Sequence, residues 1–403
     1  MDFPVQETNA SSPGGGSSPQ PGKFDPRQHL TPRRLTLAMW DQAFLLRHIP
    51  GGSFEDFDRV LEEAIERGYN TLRLDPLPQL LDLSHPEQVI SFPDPQTPYM
   101  PWCWDTAVEG PVGAWCIEFM EKLLAKNLHY TLSAWWFTGG SDNNRFPAQA
   151  KAPRTHLEAA ELWVILLREW QRRFGFQGLV FVDLANEVPF FLPGFGERFK
   201  AETGAGWSDQ ARFTPRQVAF LQQELSEGLG LLQREFPSLR FTASIHGDLR
   251  WLDVPAPFDC LDVHFYADAD PRWVNRTRFP EFLPNLFRDT AWFKEFSDRS
   301  TAAAQAVAPM LRARQRGILS AFAGWGARQG MPLTTSESWA TWYYLDHPDL
   351  DWGWLLDWAE WSVEDAIEFG MWGWTPHNYV QPQFANWQDV RWHRRLTEKF
   401  LSS

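Results

Sequence analysis

The sequence is poor in cysteine: only 3 of 403 residues, Cys103, Cys116 and Cys260. Three thiols cannot build a disulfide framework, and these are too far apart for a metal-ligand spacing. Basic residues are outnumbered, 37 Lys and Arg against 51 Asp and Glu, for a net charge of −14. Such a chain repels phosphates, which argues against nucleic acid as a partner. No apolar stretch approaches the roughly 18 residues of a membrane span, so no membrane role is expected. No charged segment followed by an apolar run opens the chain, and a cytoplasmic location is the expectation. GxGxxG, a P-loop, HExxH and an HxH after the first strand are all missing, so no cofactor and no metal are expected.

Aromatic residues are plentiful. There are 23 tryptophans, 31 phenylalanines and 7 tyrosines. An indole N–H needs a partner when buried, and a core alone does not call for so many. Flat rings with a polar edge suit a surface that stacks on a sugar. A large aromatic core or an oligomer interface is the other reading, and the sequence leaves the oligomeric state open.

Residues 1–28 are rich in Gly, Ser and Pro (SSPGGGSSPQPG from Ser11 to Gly22) and read as a flexible tail ahead of a single domain over 29–403. From there, short apolar runs alternate with amphipathic ones. The runs are Leu35–Trp40, Asn70–Leu74, His129–Phe137, Gly178–Val188, Arg240–Asp248, Cys260–Asp268, Met331–Ala340 and Gly370–Asn378. Helices are expected from a Ser53 cap to Gly68, and over 113–127, 156–174, 215–236, 301–316, 355–369 and 390–400. The connection between the fifth and sixth runs is the weak one. Repeated βα units of this number predict a single α/β (β/α)8 TIM barrel with long loops after strands 2 and 6. A doubly wound open sheet is the alternative, but its glycine fingerprint is missing.

The active site of this barrel lies at the C-terminal strand ends. Polar and aromatic residues collect there: Trp40 and Asp41 on the first strand, Arg73 on the second, and Trp135 and Trp136 on the third. Asn186 and Glu187 end the fourth, His246 the fifth, His264 and Tyr266 the sixth, Glu337 and Trp339 the seventh. Trp372, Trp374 and His377 lie on the eighth. Glu187 and Glu337 face one another across the mouth. A carboxyl pair suits glycoside cleavage, where one group protonates the leaving oxygen and the other attacks the anomeric carbon. Trp102 and Trp104, and Trp273 and Trp292, sit in the long loops and would wall the site or pin the loops down.

LANE on strand four, a Glu on strand seven, HxY on strand six, an Arg on strand two and a Trp on strand eight resemble the clan A retaining glycoside hydrolases, nearest to the cellulase-like family 5 group. The resemblance covers about Arg33 to Phe400. It implies Glu187 as acid/base, Glu337 as nucleophile and Asn186 as a ligand of the sugar 2-hydroxyl. Arg73 and Tyr266 would position Glu337, His264 would line the site, and Trp374 would lie under the sugar. The family's strand-three His is replaced by Trp135 or Trp136, which points to a divergent, more aromatic pocket. The expected function is a retaining, exo-acting β-glycosidase of oligosaccharides or small glycosides, with carbohydrate as partner. A carbohydrate-binding protein without turnover, an endo-acting β-glycanase and a transglycosylase use the same residues.

Overall fold

The computed structural model describes residues 32–95, 103–138, 146–282 and 290–403. The proposed flexible tail and Trp102 lie outside the described residues.

The barrel strands are β1 (Leu35–Asp41), β2 (Thr71–Leu74), β3 (His129–Leu132) and β4 (Leu179–Asp183). The fifth, β5, comes in two pieces, Phe241–Thr242 and Ile245–His246, and β6 is Leu261–Tyr266. The seventh, β7, is likewise split into Leu333–Thr334 and Ser338–Trp339, and β8 is Gly373–Trp374. All neighbouring pairs run parallel. The first piece of β5 pairs with β4 and the second with β6, so the broken strand links both sides. Leu35 pairs with Gly373, which closes the ring between β8 and β1. The fold is the α/β barrel that the alternating pattern predicts.

The local chemistry explains the helices. Thr155 accepts from the Glu158 N–H to start the helix His156–Phe174, and Gly175 ends it in the left-handed region. Thr214 and Gln217 cap Pro215–Glu235 reciprocally. The helix expected from a Ser53 cap starts later, at Phe57, because Asp56 is the residue whose carboxylate accepts the Arg59 N–H. The helix expected over 301–316 is much longer, Phe293–Gln329. Between β5 and β6 there is only a short 3-10 turn, Leu249–Asp253, and the long helix packs against that turn and β6. The strand-two loop carries a small hairpin, Ile90–Phe92 with Val108–Gly110. Among the described residues no helix is long and apolar enough to cross a membrane.

The floor of the barrel is apolar, with Leu35, Leu37, Phe181, Cys260 and Trp372 in one buried cluster. Above it the interior turns polar. Asp183 accepts from Ser133 Oγ (2.9 Å) and from the Ser244 N–H and Oγ (both 2.8 Å). Asp262 accepts from the Ser336 N–H (2.9 Å) and Oγ (2.5 Å). Burial without partners would cost each carboxylate several kcal/mol, and the serine hydrogen bonds offset part of that; burial still pushes Asp183 up to about 7. Gly373 is needed where it stands: a Cβ there would meet Thr334 Oγ1 at 2.1 Å.

Candidate active site

Arg73 rises from β2 into the centre of the mouth, fully buried. Its guanidinium pairs with Glu337 Oε1, donates to Asn186 Oδ1 at 2.6 Å and Ser133 Oγ at 3.1 Å, and lies 3.3 Å from Asp41 Oδ1. A planar fork of donors can hold three elements in register in this way, where a lysine could not. Burial opposes its charge, but Asp41 and Glu337 raise its pKa beyond the ordinary arginine value.

Glu337, on the break in β7, is held on both oxygens. Besides Arg73, the Tyr266 hydroxyl donates to Oε2 at 2.7 Å and the Asn378 amide reaches the same oxygen at 3.4 Å. Asn378 also donates to the Tyr266 oxygen (2.9 Å) and accepts the Ser338 N–H (2.9 Å).

Glu187 follows β4 in the left-handed region, with φ of 48°, an uncommon conformation for a residue with a side chain. Its N–H donates to Ser244 Oγ at 2.9 Å. His264 Nδ1 lies 2.9 Å from its Oε1, and His246 Nε2 lies 2.7 Å from its Oε2. Burial pushes the Glu187 pKa up, but His246 first and then His264 outweigh it, and the carboxyl sits well below its ordinary range. His264 is fully buried, which disfavours its charge; Glu337, Asp262 and Glu187 reverse that and push its pKa up to about 10. His264 is therefore an imidazolium at neutral pH.

One oxygen of Glu187, one of Glu337 and a nitrogen of His264 lie within 4.8 Å of one another. Two carboxylates and a histidine could hold a cation. Here the Arg73 guanidinium, paired with Glu337 Oε1, already places a positive charge beside that carboxylate.

The strand-end residues divide by the strand's alternation of faces. Asp41, Arg73, Trp135, Asn186, Glu187, His246, His264, Tyr266 and Glu337 converge on the mouth. Trp135 takes the strand-three position: its indole donates to Asp41 Oδ2 at 2.6 Å, and Arg73 lies over its ring at 5.9 Å. Its neighbour Trp136 faces outward and donates to the Leu184 carbonyl at 3.0 Å beside Trp163. Trp40 likewise packs outward, on Phe54, Phe119 and Trp387. Trp339 stacks on Phe265 and donates to the Thr375 carbonyl.

Trp374 corrects the expectation of a platform under the sugar. It is fully buried on the helix side of β8, donates to Ser362 Oγ at 2.9 Å and packs on Phe400. Gly373 takes the inward position, so Trp374 must face out. His377 is buried and hydrogen-bonded to Asn386 at 3.0 Å, away from the carboxylates. Among the loop tryptophans, Trp104 and Trp273 are buried in aromatic clusters, and Trp292 is partly exposed against Phe282.

Sequence reasoning did not single out Asn378, which ends the eighth run and reaches Glu337. Nor did it find Asp183 and Asp262, the second residues in VDL and LDVH, whose signal was a charge inside an otherwise apolar strand. Asp75, two residues after Arg73, is close enough in the chain to compete for it. It instead accepts from Gln42 at 2.6 Å and from the Trp135 N–H at 3.0 Å.

A family model described as "Cellulase-like: Sugar-binding cellulase-like" matches residues 37–401. No curated protein matches the chain. Among solved structures, one from Parabacteroides distasonis, provisionally named a glycoside hydrolase, superposes with a TM-score of 0.77 at 24% identity, covering 92% of this chain and 94% of that one. The cellulose synthase subunit Z of Clostridioides difficile gives 0.48 at 12% identity, over 91% and 99% of the two chains. An endocellulase from Pyrococcus horikoshii gives 0.47 at 11% identity, over 91% and 93%.

Proposed function

The chain belongs to the sugar-binding cellulase-like family, and from that premise we propose that it is a retaining, exo-acting β-glycosidase, with Glu337 as nucleophile and Glu187 as acid/base. The observation that carries the reading is the closeness of the two carboxylates: one oxygen of Glu187 lies within 4.8 Å of one oxygen of Glu337, an approach that favours the narrower spacing. Retaining enzymes keep their carboxyl groups about 5–5.5 Å apart, while inverting ones need about 6.5–9.5 Å to fit a water.

Each residue then has a task. Arg73, Tyr266 and Asn378 aim Glu337 at the anomeric carbon. Asn186 offers its amide: Oδ1 is taken by Arg73 and by Ser244 Oγ, while the buried Nδ2 has no partner, and a sugar hydroxyl would supply one. Trp135, held by Asp41, presents an aromatic wall. The proton for the leaving group resides on His264, 2.9 Å from Glu187 Oε1. As Glu337 attacks and its charge passes to the new glycosyl bond, the imidazolium loses the largest influence that raises its pKa, and its proton can pass to Glu187 and on to the leaving oxygen. Water completes the second displacement, with Glu187 taking its proton.

The low pKa of Glu187 also favours a second reading, a protein that binds sugar without cleaving it. A panel of aryl β-glycosides and short β-linked oligosaccharides, run with the parent and with Glu337→Ala, separates the two. Turnover by the parent alone, with the β-anomer as first product, is the expected result. Saturable sugar binding with no turnover of any substrate would move the conclusion to the second reading.

A further inference from the structure

The short connection between β5 and β6 leaves a gap in the outer layer that the long helix Phe293–Gln329 only partly fills. A cavity of about 670 Å³ lies there, between the ends of the two strands and the helix. Its inner wall is His246, His264 and Tyr266, which also belong to the site. We propose that this groove holds the leaving-group part of the substrate, and that the leaving group is an apolar alcohol or phenol rather than a further sugar.

The placement follows from Glu187. A general acid protonates the leaving oxygen, so the leaving group lies on the acid's side of the site. Glu187 Oε2 faces His246, and His246 opens on the groove. The inference thus rests on the assignment of Glu187 as acid. The chemistry of the walls sets the ligand class. Gly247, Leu249, Phe265 and Ile318 provide apolar surface, and Leu249 is 47% exposed. Phe190, 53% exposed, lies against the His246 ring with centroids 4.9 Å apart. A second sugar would leave its hydroxyls facing these side chains unpaired. The charged groups at the rim have partners within the protein: Asp248 is held by Arg250 at 2.5 Å, and Arg314 lies 3.5 Å from Asp270, which also pairs with Arg272 at 2.7 Å. One polar point remains. Gln315 is buried, its amide N–H is spent on the Trp339 carbonyl at 2.8 Å, and its Oε1 has no partner. A single hydroxyl on an otherwise apolar ligand would satisfy it. The volume fits a ligand of drug-like size.

The test compares n-octyl β-glycosides with the matching β-glycosyl fluorides, whose leaving group is a single atom, in the parent and in Ile318→Trp, which fills the groove. The ratio of kcat/KM for octyl glycoside over fluoride is expected to fall at least tenfold in the variant. An unchanged ratio would overturn the inference while leaving the glycosidase intact. Calorimetric titration with 2-naphthol reads the groove without catalysis: saturable binding by the parent, lost in the variant, is expected. Such binding in a protein that turns over no glycoside would sustain the groove and remove the hydrolase reading. Absence of naphthol binding by the parent would overturn the groove. Leu249→Glu, at an exposed wall position, serves for both measurements if Ile318→Trp does not fold.

Discussion

His264 Nδ1 lies 2.9 Å from Glu187 Oε1 and 3.8 Å from Glu337 Oε1, so one imidazolium bridges the two carboxylates of the site. Two carboxylates this close ordinarily drive one pKa up, so that a single proton is shared. Here the cation cancels that repulsion, and the shared proton sits on the histidine instead.

The imidazole titration of His264, followed by NMR, is accordingly expected near pH 10. Glu337→Gln should lower it more than Glu187→Gln, because Glu337 is the largest influence raising it. The linkage to stability has a definite sign. A histidine whose folded pKa exceeds its unfolded value of about 6.5 stabilises fully below that value, and the contribution is lost as pH rises through about 10. Asp41, pushed up to about 8 chiefly by burial, loses its contribution earlier on the same rise. The melting temperature of the parent should therefore fall from pH 7 toward 10. The difference between parent and His264→Gln should shrink over that range, most of it above pH 8. A constant difference would show that His264 is neutral in the folded protein.

Glu337→Ala is expected to lower turnover by at least about a thousandfold. The cavity left beside Arg73 would admit a small anion. Azide should restore part of the rate and yield a glycosyl azide of inverted configuration. Full activity in this variant would remove Glu337 from the nucleophile's role.

Glu187→Ala should cost about 10²–10⁴ on substrates with poor leaving groups and far less on activated aryl glycosides, which depart without a proton. The comparison of kcat/KM across a series of leaving-group acidities checks this. Equal losses along the series would argue against an acid.

The repeat of strand and helix was legible because most apolar runs are followed by an amphipathic segment, in one case with both ends marked, Thr155 to Gly175; the fifth run, followed only by a 3-10 turn, is the exception. The polar residues at the strand ends were legible as well, because Arg73 and Glu337 interrupt strands that have no other reason to carry charge. Orientation was harder. Trp135 and Trp136 are adjacent, so only one can face inward, and composition does not say which. The inward choice follows from Asp41 and Asp75, which bind the Trp135 indole and N–H from two other strands. Asn378 was hidden for a similar reason. It lies past the end of β8 and reaches Glu337 through a turn whose direction depends on Ser338 in β7. Long-range contacts of this kind leave no periodic mark in the sequence.

Trp374 tests that distinction between type and orientation. As a sugar platform, its loss would weaken binding and spare the fold. Its actual place, with the indole bonded to Ser362 and the ring on Phe400, makes it part of the packing between the barrel and its helices. Trp374→Ala removes a fully buried ring and leaves the Ser362 hydroxyl without its donor, although that hydroxyl still reaches the Ala359 carbonyl. Substitutions of this kind cost about 3–5 kcal/mol. Urea unfolding of the variant should show a loss of that size with the m-value retained, while KM for any substrate of the parent changes less than twofold in the folded fraction. A large rise in KM with undiminished stability would place the ring under the sugar after all. It would also require β8 to present Trp374, not Gly373, to the interior, which the close approach of Thr334 to Gly373 forbids.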